Sequence, residues 1–356
     1  MAKLVDKPYL KRLLETPSVT GTESQVAQLV RDRLADCADV VETDVMGSVH
    51  ARLQGSGAAP SVMIAAHMDE VGLMVKAIDS QGFLHVVPVG GVDAAILPGL
   101  RVDVHTQDGV LRGVVGRKPI HLIESEERTK VTPISGLFID LGLSPRRVRE
   151  AVRVGDVITY GVGFEKYGKG MAVSRAFYDK AGVYVITRVL EELKRAEGAP
   201  GDYICAATVQ EEIGSRGATT SAFRVQPDVA IALDVTHATY YPGIDTNKYG
   251  SVSCGGGPVI ASGPNINPVV FERLIAAAEA EGIKVQFEAE PSDSGTDASE
   301  MKVQRGGCAT GLVSIPLRYM HTPTEVVKLS DIEDTVLLLK RFILDLDEDV
   351  SFVPGM

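Results

Sequence analysis

The sequence predicts an α/β protein: a mostly parallel sheet flanked by helices, interrupted by an inserted small β-barrel-like domain. Three observations predict it. Apolar runs that read as buried strands, at 62–66 (VMIAA), 203–209 (YICAATV), 229–235 and 308–315, alternate with segments of helical periodicity in the first and last parts of the chain. Between about residues 71 and 163 the texture changes to short β-rich pieces separated by Gly, Pro and Asp turns, the spacing of a small barrel or sandwich. Polar residues able to hold a metal or a proton stand where the buried strands stop, which is where α/β sheets bind ligands. The expected organisation is one layered domain from residues 1–70 and 164–356, with residues 71–163 inserted into it.

Taken in order, a first helix around 7–15 places Leu10, Leu13 and Leu14 on one face. A second, after Thr20-Gly21-Thr22, carries Val26, Leu29, Val30 and Leu34 at helical spacing. Strands follow at 40–44 and 48–53, then the run 62–66, which ends at His67. In the insertion GLMVKAI, GFLHVVPVG, RVDVHT, VLRGVVG and DVITYG read as short strands, with one helix near 144–152. Beyond Gly182 the expectation is helix 183–195, strand 203–209, helix near 215–223, strand 229–235, helix 268–281, strands 283–290 and 308–315, and a last helix at 331–346. There is no low-complexity linker and no internal repeat.

Composition excludes several functions. With 36 Lys+Arg against 47 Asp+Glu the formal charge is -11, which argues against a sequence-independent grip on nucleic acid or on an anionic membrane. The basic cluster Arg146, Arg147 and Arg149 follows Ser144-Pro145 at a helix start and reads as a solvated face. No apolar run is long enough to span a bilayer, and the opening MAKLVDKPYLKRLLETP lacks the apolar centre of a signal peptide. Cys37, Cys205, Cys254 and Cys308 form no C-x-x-C and suit buried thiols in a reducing compartment. The protein therefore reads as cytoplasmic.

The chemistry-bearing residues gather at strand ends. His67 and Asp69 (AHMDEVG) follow one strand, Glu211 and Glu212 (TVQEEIGSRGA) a second and Asp234 (ALDVTHA) a third; His321 (RYMHTPTEV) follows the last strand by a short loop. An isolated Glu-Glu after a strand reads as a solvated turn, but parallel strands would bring all four places to one edge. Imidazoles and carboxylates of this kind suit zinc, cobalt or manganese, and two ions ~3.5–4 Å apart share a bridging water and carboxylate. Asp69, two residues after His67, is placed to accept the other imidazole N–H. No H-E-x-x-H and no G-x-S-x-G occurs, and the stretch 163–169, which imitates a phosphate loop, continues with Gly170 rather than Ser or Thr.

The motifs AHMDEVG, GGVDAAILPGLRVDVHT, GRKPIHL, QEEIGSRGA, ALDVTHA, SDSGTDAS and RYMHTPTEV, running in this order between about residues 10 and 346, resemble the M42 family of metallo-aminopeptidases, also labelled glutamyl aminopeptidases and sometimes endoglucanases. The resemblance implies a zinc-exopeptidase-like catalytic domain, a β-rich insertion that helps assembly, peptide substrates, and large homo-oligomers, often dodecamers. It implies two divalent ions, Zn, Co or Mn, with ligands on His67, Glu212, Asp234 and His321. Glu211 matches the general base and Asp69 the residue that orients the ligand histidine.

One position departs from the pattern. Where the family carries F-D-D-R-A-G, this chain has Phe177-Tyr178-Asp179-Lys180-Ala181-Gly182, so Tyr178 stands in the place of the carboxylate that bridges the two ions. A phenol with an ordinary pKa near ~10 is a poor replacement for a carboxylate. Three outcomes stay open: Asp179 moves in as the ligand, the ions are held differently with the second site in doubt, or catalysis is weakened or lost. Two other readings remain beside the aminopeptidase, a glycan hydrolase using two carboxylates without a metal and a metal-binding assembly protein without catalysis.

Overall fold

The computed structural model describes residues 5–355; the first four residues of the opening read above lie outside the described residues. Its first strands are β1 (Val40–Thr43), β2 (Val49–Leu53) and β3 (Val62–His67). The insertion supplies β4 (Gly72–Ile78), β5 (Leu84–Val89), β6 (Arg101–Thr106), β7 (Gly109–Gly116), β8 (Phe138–Asp140) and β9 (Val157–Tyr160). The rest are β10 (Glu165–Tyr167), β11 (Met171–Ser174), β12 (Tyr203–Thr208), β13 (Val229–His237), β14 (Val259–Ser262), β15 (Gln286–Ala289), β16 (Ala309–Arg318) and β17 (Glu325–Lys328). The helices are α1 (Lys7–Glu15), α2 (Ser24–Leu34), α3 (Pro145–Ala151), α4 (Phe177–Arg195), α5 (Arg216–Val225), α6 (Thr246–Tyr249), α7 (Pro268–Glu281), α8 (Asp297–Lys302) and α9 (Leu329–Leu344).

Local chemistry accounts for these elements. Asp6 caps α1 by accepting from the Tyr9 amide, Pro8 sits in the first turn, and Tyr9, Leu10, Leu13 and Leu14 form the buried face. Helix α7 starts on Asn267, which accepts from the Val269 and Val270 amides, and stops at left-handed Gly282. Strands β3 and β12 are buried at every position, as strands covered on both faces must be.

The large sheet runs β1-β2-β12-β3-β13-β16-β17-β11-β10, with β14 and β15 branching from β16. Its centre is parallel: β3 pairs with β12 and β13, and β13 with β16. Its edges are antiparallel, β1/β2 on one side and β17, β11 and β10 on the other. The α/β class expected from the sequence holds, and the sheet is mixed, parallel at its centre, rather than mostly parallel throughout. The added strands are three to four residues long with no apolar run to announce them; β10 is exposed at every position. Strands β4-β5-β8-β7-β6-β9 close into a barrel with its own core around Leu73, Leu84, Val102, Val104, Ile139 and Ile158. Among the described residues no helix is long and apolar enough to cross a membrane. The four cysteines are free thiols.

Two features position the site. In the parallel centre His67 and Thr208 end β3 and β12 as partners, whereas Asp234, expected at a strand end, lies inside β13, which runs on to His237, opposite Ser314 inside β16; the register of β3 with β13 sets Asp234 level with His67. Helix α4, buried along most of its length behind β3, opens on non-helical backbone at Tyr178 and Asp179, and both side chains lie beside His67.

Candidate active site

His67 closes β3 and is 1% exposed. Its Nδ1 lies 3.1 Å from the Asp69 carbonyl oxygen and 3.4 Å from Asp69 Oδ1, which assigns the proton to Nδ1. Nε2 is left without a hydrogen-bond partner, 3.8 Å from Glu211 Oε2. The Asp69 carboxylate does more elsewhere: Oδ1 accepts from the Glu211 amide at 3.1 Å, and Oδ2 accepts from the Glu212 amide at 3.2 Å and from Thr20 Oγ1 at 2.8 Å. The turn leaving β12, entered through Gln210 at φ +58°, is thus tied to the turn leaving β3.

His321 sits at φ +61° on the loop after β16. Its Nδ1 donates to the carbonyl of Gly91, a barrel residue, at 2.9 Å, so Nε2 presents a lone pair. Facing it at 3.2 Å is Glu212 Oε1, itself without a hydrogen-bond partner. A side chain at Gly91 would come within 3.0 Å of the imidazole, which explains the glycine. Below the loop, fully buried Glu325 accepts from the His321 amide at 3.0 Å and from the Tyr178 amide at 3.1 Å. Burial raises its carboxyl to about 8 against the pull of those two amides.

Tyr178 stands between the imidazoles, edge-on to His67 with ring centroids 4.9 Å apart and stacked on His321 at 5.0 Å. Burial, then the charges of Asp234, Glu211 and Glu212, push its phenol well above the ordinary range, so it stays neutral. Asp179 is buried beside it; Oδ1 accepts from the Gly182 amide at 3.0 Å and Oδ2 has no partner. Asp234, 2% exposed, accepts on Oδ1 from the Val235 amide at 2.7 Å.

These donors fit a divalent cation. Two lone pairs facing each other 3.2 Å apart, on His321 Nε2 and Glu212 Oε1, need a proton or a cation between them, and ligands of one tetrahedral ion sit about 3.3 Å apart. His67 Nε2 and Asp179 Oδ2 are likewise buried and unpartnered. The fit is incomplete, because among the described residues no three such side chains close on one point. The position between the two imidazoles holds a phenol rather than a carboxylate.

Burial pushes the Glu211 carboxyl up to about 8, with Asp234, Asp297 and Glu212 adding to it and His67 opposing. Burial disfavours the His67 imidazolium, but Asp69 and Glu211 outweigh it and hold the ring well above the usual histidine range. A cation placed among these groups reverses that order, since it favours ionised carboxylates and neutral imidazoles. The pair opens on a cleft of about 350 Å³ lined by Tyr178, Glu211, Glu212, Thr296, Glu300 and His321.

The site therefore collects His67, Asp69, Tyr178, Asp179, Glu211, Glu212, Asp234 and His321. Sequence reasoning did not single out Gly91, Glu325, or the buried group of Glu70, Arg175 and Lys180 beneath them. Glu325 lies four residues after His321 in the same motif, and Gly90-Gly91 opens another; these short-range signals were available. Arg175 and Lys180 carried none, because their partner is more than a hundred residues away.

Fold and side-chain set define a class: a mixed α/β sheet covered by helices, with an imidazole–carboxylate cluster on it and a small barrel beside it. Residues 47–338 match the M42 glutamyl aminopeptidase family, and the chain belongs to it. It is 36% identical to a lysyl aminopeptidase of Pyrococcus furiosus over 99% of this chain and 100% of that protein. The fold superposes on a TET aminopeptidase from a marine-sediment thaumarchaeon with a TM-score of 0.91, at 32% identity over 96% of each chain. It also superposes on the Pyrococcus horikoshii TET1 peptidase, described as able to assemble into a tetrahedron or a large octahedral shell, with a TM-score of 0.84 at 30% identity over 95% of this chain and 99% of that one.

Proposed function

We propose that this chain is a cytoplasmic, cation-dependent aminopeptidase that removes N-terminal residues from peptides, with Glu211 as general base. The observation that carries the reading is the divergence of two adjacent carboxylates. Both amides rest on Asp69, yet Glu212 faces His321 at 3.2 Å while Glu211 faces His67 at 3.8 Å. His67, Glu212, Asp234 and His321 would hold the cations, with Asp179 the remaining carboxylate beside them. Bound cations supply the acidity that readies a water for attack near neutral pH and polarise the scissile carbonyl. Glu211, held on Oε1 by a 3.4 Å contact from Ser215 Oγ, is free to take the proton of the attacking water and pass it to the leaving amine. Asp69 and Gly91 keep Nδ1 of the two imidazoles protonated, so that each Nε2 stays available.

Tyr178 sets the limit on this site. A neutral phenol neither offsets the repulsion of two close cations nor fixes their separation, so one cation is held tightly and the second weakly or not at all, and turnover is lower than in relatives with the bridging carboxylate. The working form is a large homo-oligomer. The test is hydrolysis of aminoacyl p-nitroanilides with metal content measured in parallel. Chelation abolishes turnover, and zinc, cobalt or manganese restores it; unchanged activity in the metal-free protein overturns the reading.

A further inference from the structure

The ring of Tyr178 is held on three sides, so its hydroxyl has a fixed aim. The backbone amide donates to Glu325 Oε2 at 3.1 Å; the ring is edge-on to His67 at 4.9 Å and stacked on His321 at 5.0 Å with the planes 10° apart. The side chain reaches the cleft that Glu211, Glu212 and His321 also line, and among the described residues its hydroxyl makes no hydrogen bond. The other hydroxyls of that cleft are engaged. Ser215 Oγ faces Glu211 Oε1 at 3.4 Å and Thr296 Oγ1 lies 2.9 Å from Ser294 Oγ. Ser299 Oγ meets Ser294 Oγ at 3.0 Å and accepts from Asn265 Nδ2 at 3.1 Å. Tyr178 therefore supplies the unclaimed O–H of the cleft.

Its place in the site decides what that O–H meets. On one side is the His321–Glu212 pair, where the scissile carbonyl is polarised; on the other is Glu211, 3.8 Å from His67, which serves the attacking water. Carbonyl and water meet between the two, where the phenol stands. As the water oxygen bonds to the carbonyl carbon, the π pair of C=O moves onto the carbonyl oxygen. That charge develops among Asp234, Glu211 and Glu212, whose own charges already bear on this phenol. A fixed neutral donor in a shielded cleft favours the charged oxygen over the ground-state carbonyl, which is what accelerates the step. With an ordinary pKa near ~10 a phenol is such a donor at neutral pH. We propose that Tyr178 is a catalytic residue of this chain, donating a hydrogen bond to the carbonyl oxygen as the tetrahedral intermediate forms. The phenol keeps its proton throughout. The water's proton passes to Glu211 and then to the leaving nitrogen, while the oxygen's pair re-forms C=O and the C–N bond breaks, giving a free amino acid and a shortened peptide. The proposal rests on the aminopeptidase reading and gives the residue in the bridging place a part in the reaction.

The test is Tyr178→Phe, which keeps both ring contacts, removes only the O–H and, unlike Tyr178→Asp, offers no ligand to a second cation. Kinetics on aminoacyl p-nitroanilides are measured on the metal-loaded protein, with cation content determined in parallel. Calorimetry follows binding of the 1-aminoalkylphosphonic analogues of leucine and lysine, whose tetrahedral anionic head mimics the charged oxygen, beside leucinamide and lysinamide. Tyr178→Phe lowers kcat by about 10²-fold, the usual loss with one oxyanion donor, at near-parental KM and cation content. It weakens the phosphonates by ~10-fold or more and the amides by less, because a hydrogen bond to a charged group is the stronger one. Parental kcat and phosphonate binding in a Tyr178→Phe protein of parental thermal stability overturn the proposal. So does a fall in cation content that accounts for the whole loss of kcat. In both cases turnover by the parent leaves the aminopeptidase reading intact. If the parent turns over no aminoacyl substrate under any metal, that reading fails, and the phosphonate-to-amide binding ratio decides this one alone, an equal ratio in parent and variant overturning it.

Discussion

Adjacent carboxylates divide labour when the backbone sends them different ways, and at Glu211 and Glu212 the Asp69 carboxylate fixes that divergence by accepting both amides. Glu211→Gln is therefore expected to keep fold and cation content while kcat falls by about 10²–10⁴, the usual loss with a general base. Glu212→Gln lowers cation occupancy instead, because its Oε1 faces the His321 lone pair. Metal analysis beside kinetics separates the two, and equal loss of metal from both variants would refute the division. Tyr178 offers a gain-of-function test. Its ring fills the space between the imidazoles and its phenol stays protonated. Tyr178→Asp should thus raise both the affinity for a second cation and turnover. If the parent already binds two cations tightly through Asp179 and the substitution is neutral or harmful, the assignment of Tyr178 to the bridging place is wrong.

At the scale of elements, what the sequence revealed and what it hid follow from range. His67 and Glu211 were legible because a buried strand leaves an apolar run that ends abruptly, and Asp234 because it breaks such a run, although β13 continues past it to His237. The contacts holding those ends together were not legible, because they link β3, β11, α4 and the barrel across the chain. Glu70, one residue past Asp69, takes ion pairs from Arg175 beside β11 and from Lys180 in α4, the latter at 2.8 Å, and all three are buried. No periodicity announces such a group. Two cations share one carboxylate, so burial lowers Lys180 to about 8, while Arg175 and Lys180 overcome burial and hold Glu70 down to about 2. The sign follows from linkage: a carboxylate with a depressed folded pKa stabilises above its unfolded value, and that stabilisation is lost as pH falls towards the folded one. Stability should fall by about 3 kcal/mol from this group between pH ~5 and ~2. Glu70→Gln should flatten that part of the acid-unfolding curve at a cost near neutral pH of roughly 3–5 kcal/mol, since it leaves buried cations unpaired. Denaturant melts at stepped pH check both, and an unchanged slope would show that Glu70 is not ionised in the folded state.

On the scale of the whole molecule, the barrel raises the question of what covers it. Its buried residues form a cluster separate from that of the sheet, and Gly91 supplies the carbonyl that orients His321, so it already serves the site. Yet Val110 and Val114 on β7, and Ile120, Leu122 and Val131 on the following segment, are exposed apolar side chains. Apolar area left in water favours association at roughly 25 cal/mol per Å² buried, before the costs of docking. The net charge of -11 opposes close packing of copies and makes assembly depend on such contacts and on ionic strength. Light scattering should therefore report a large homo-oligomer, near twelve times the 37.9 kDa chain for a dodecamer. A Leu122→Glu variant should shift that mass downward while its circular dichroism matches the parent. A monomer at micromolar concentration would contradict the assembly outright. A parental mass in the variant would instead move the interface off this segment, to the apolar side chains exposed elsewhere, such as Phe223 at the end of α5 or Phe287 on β15.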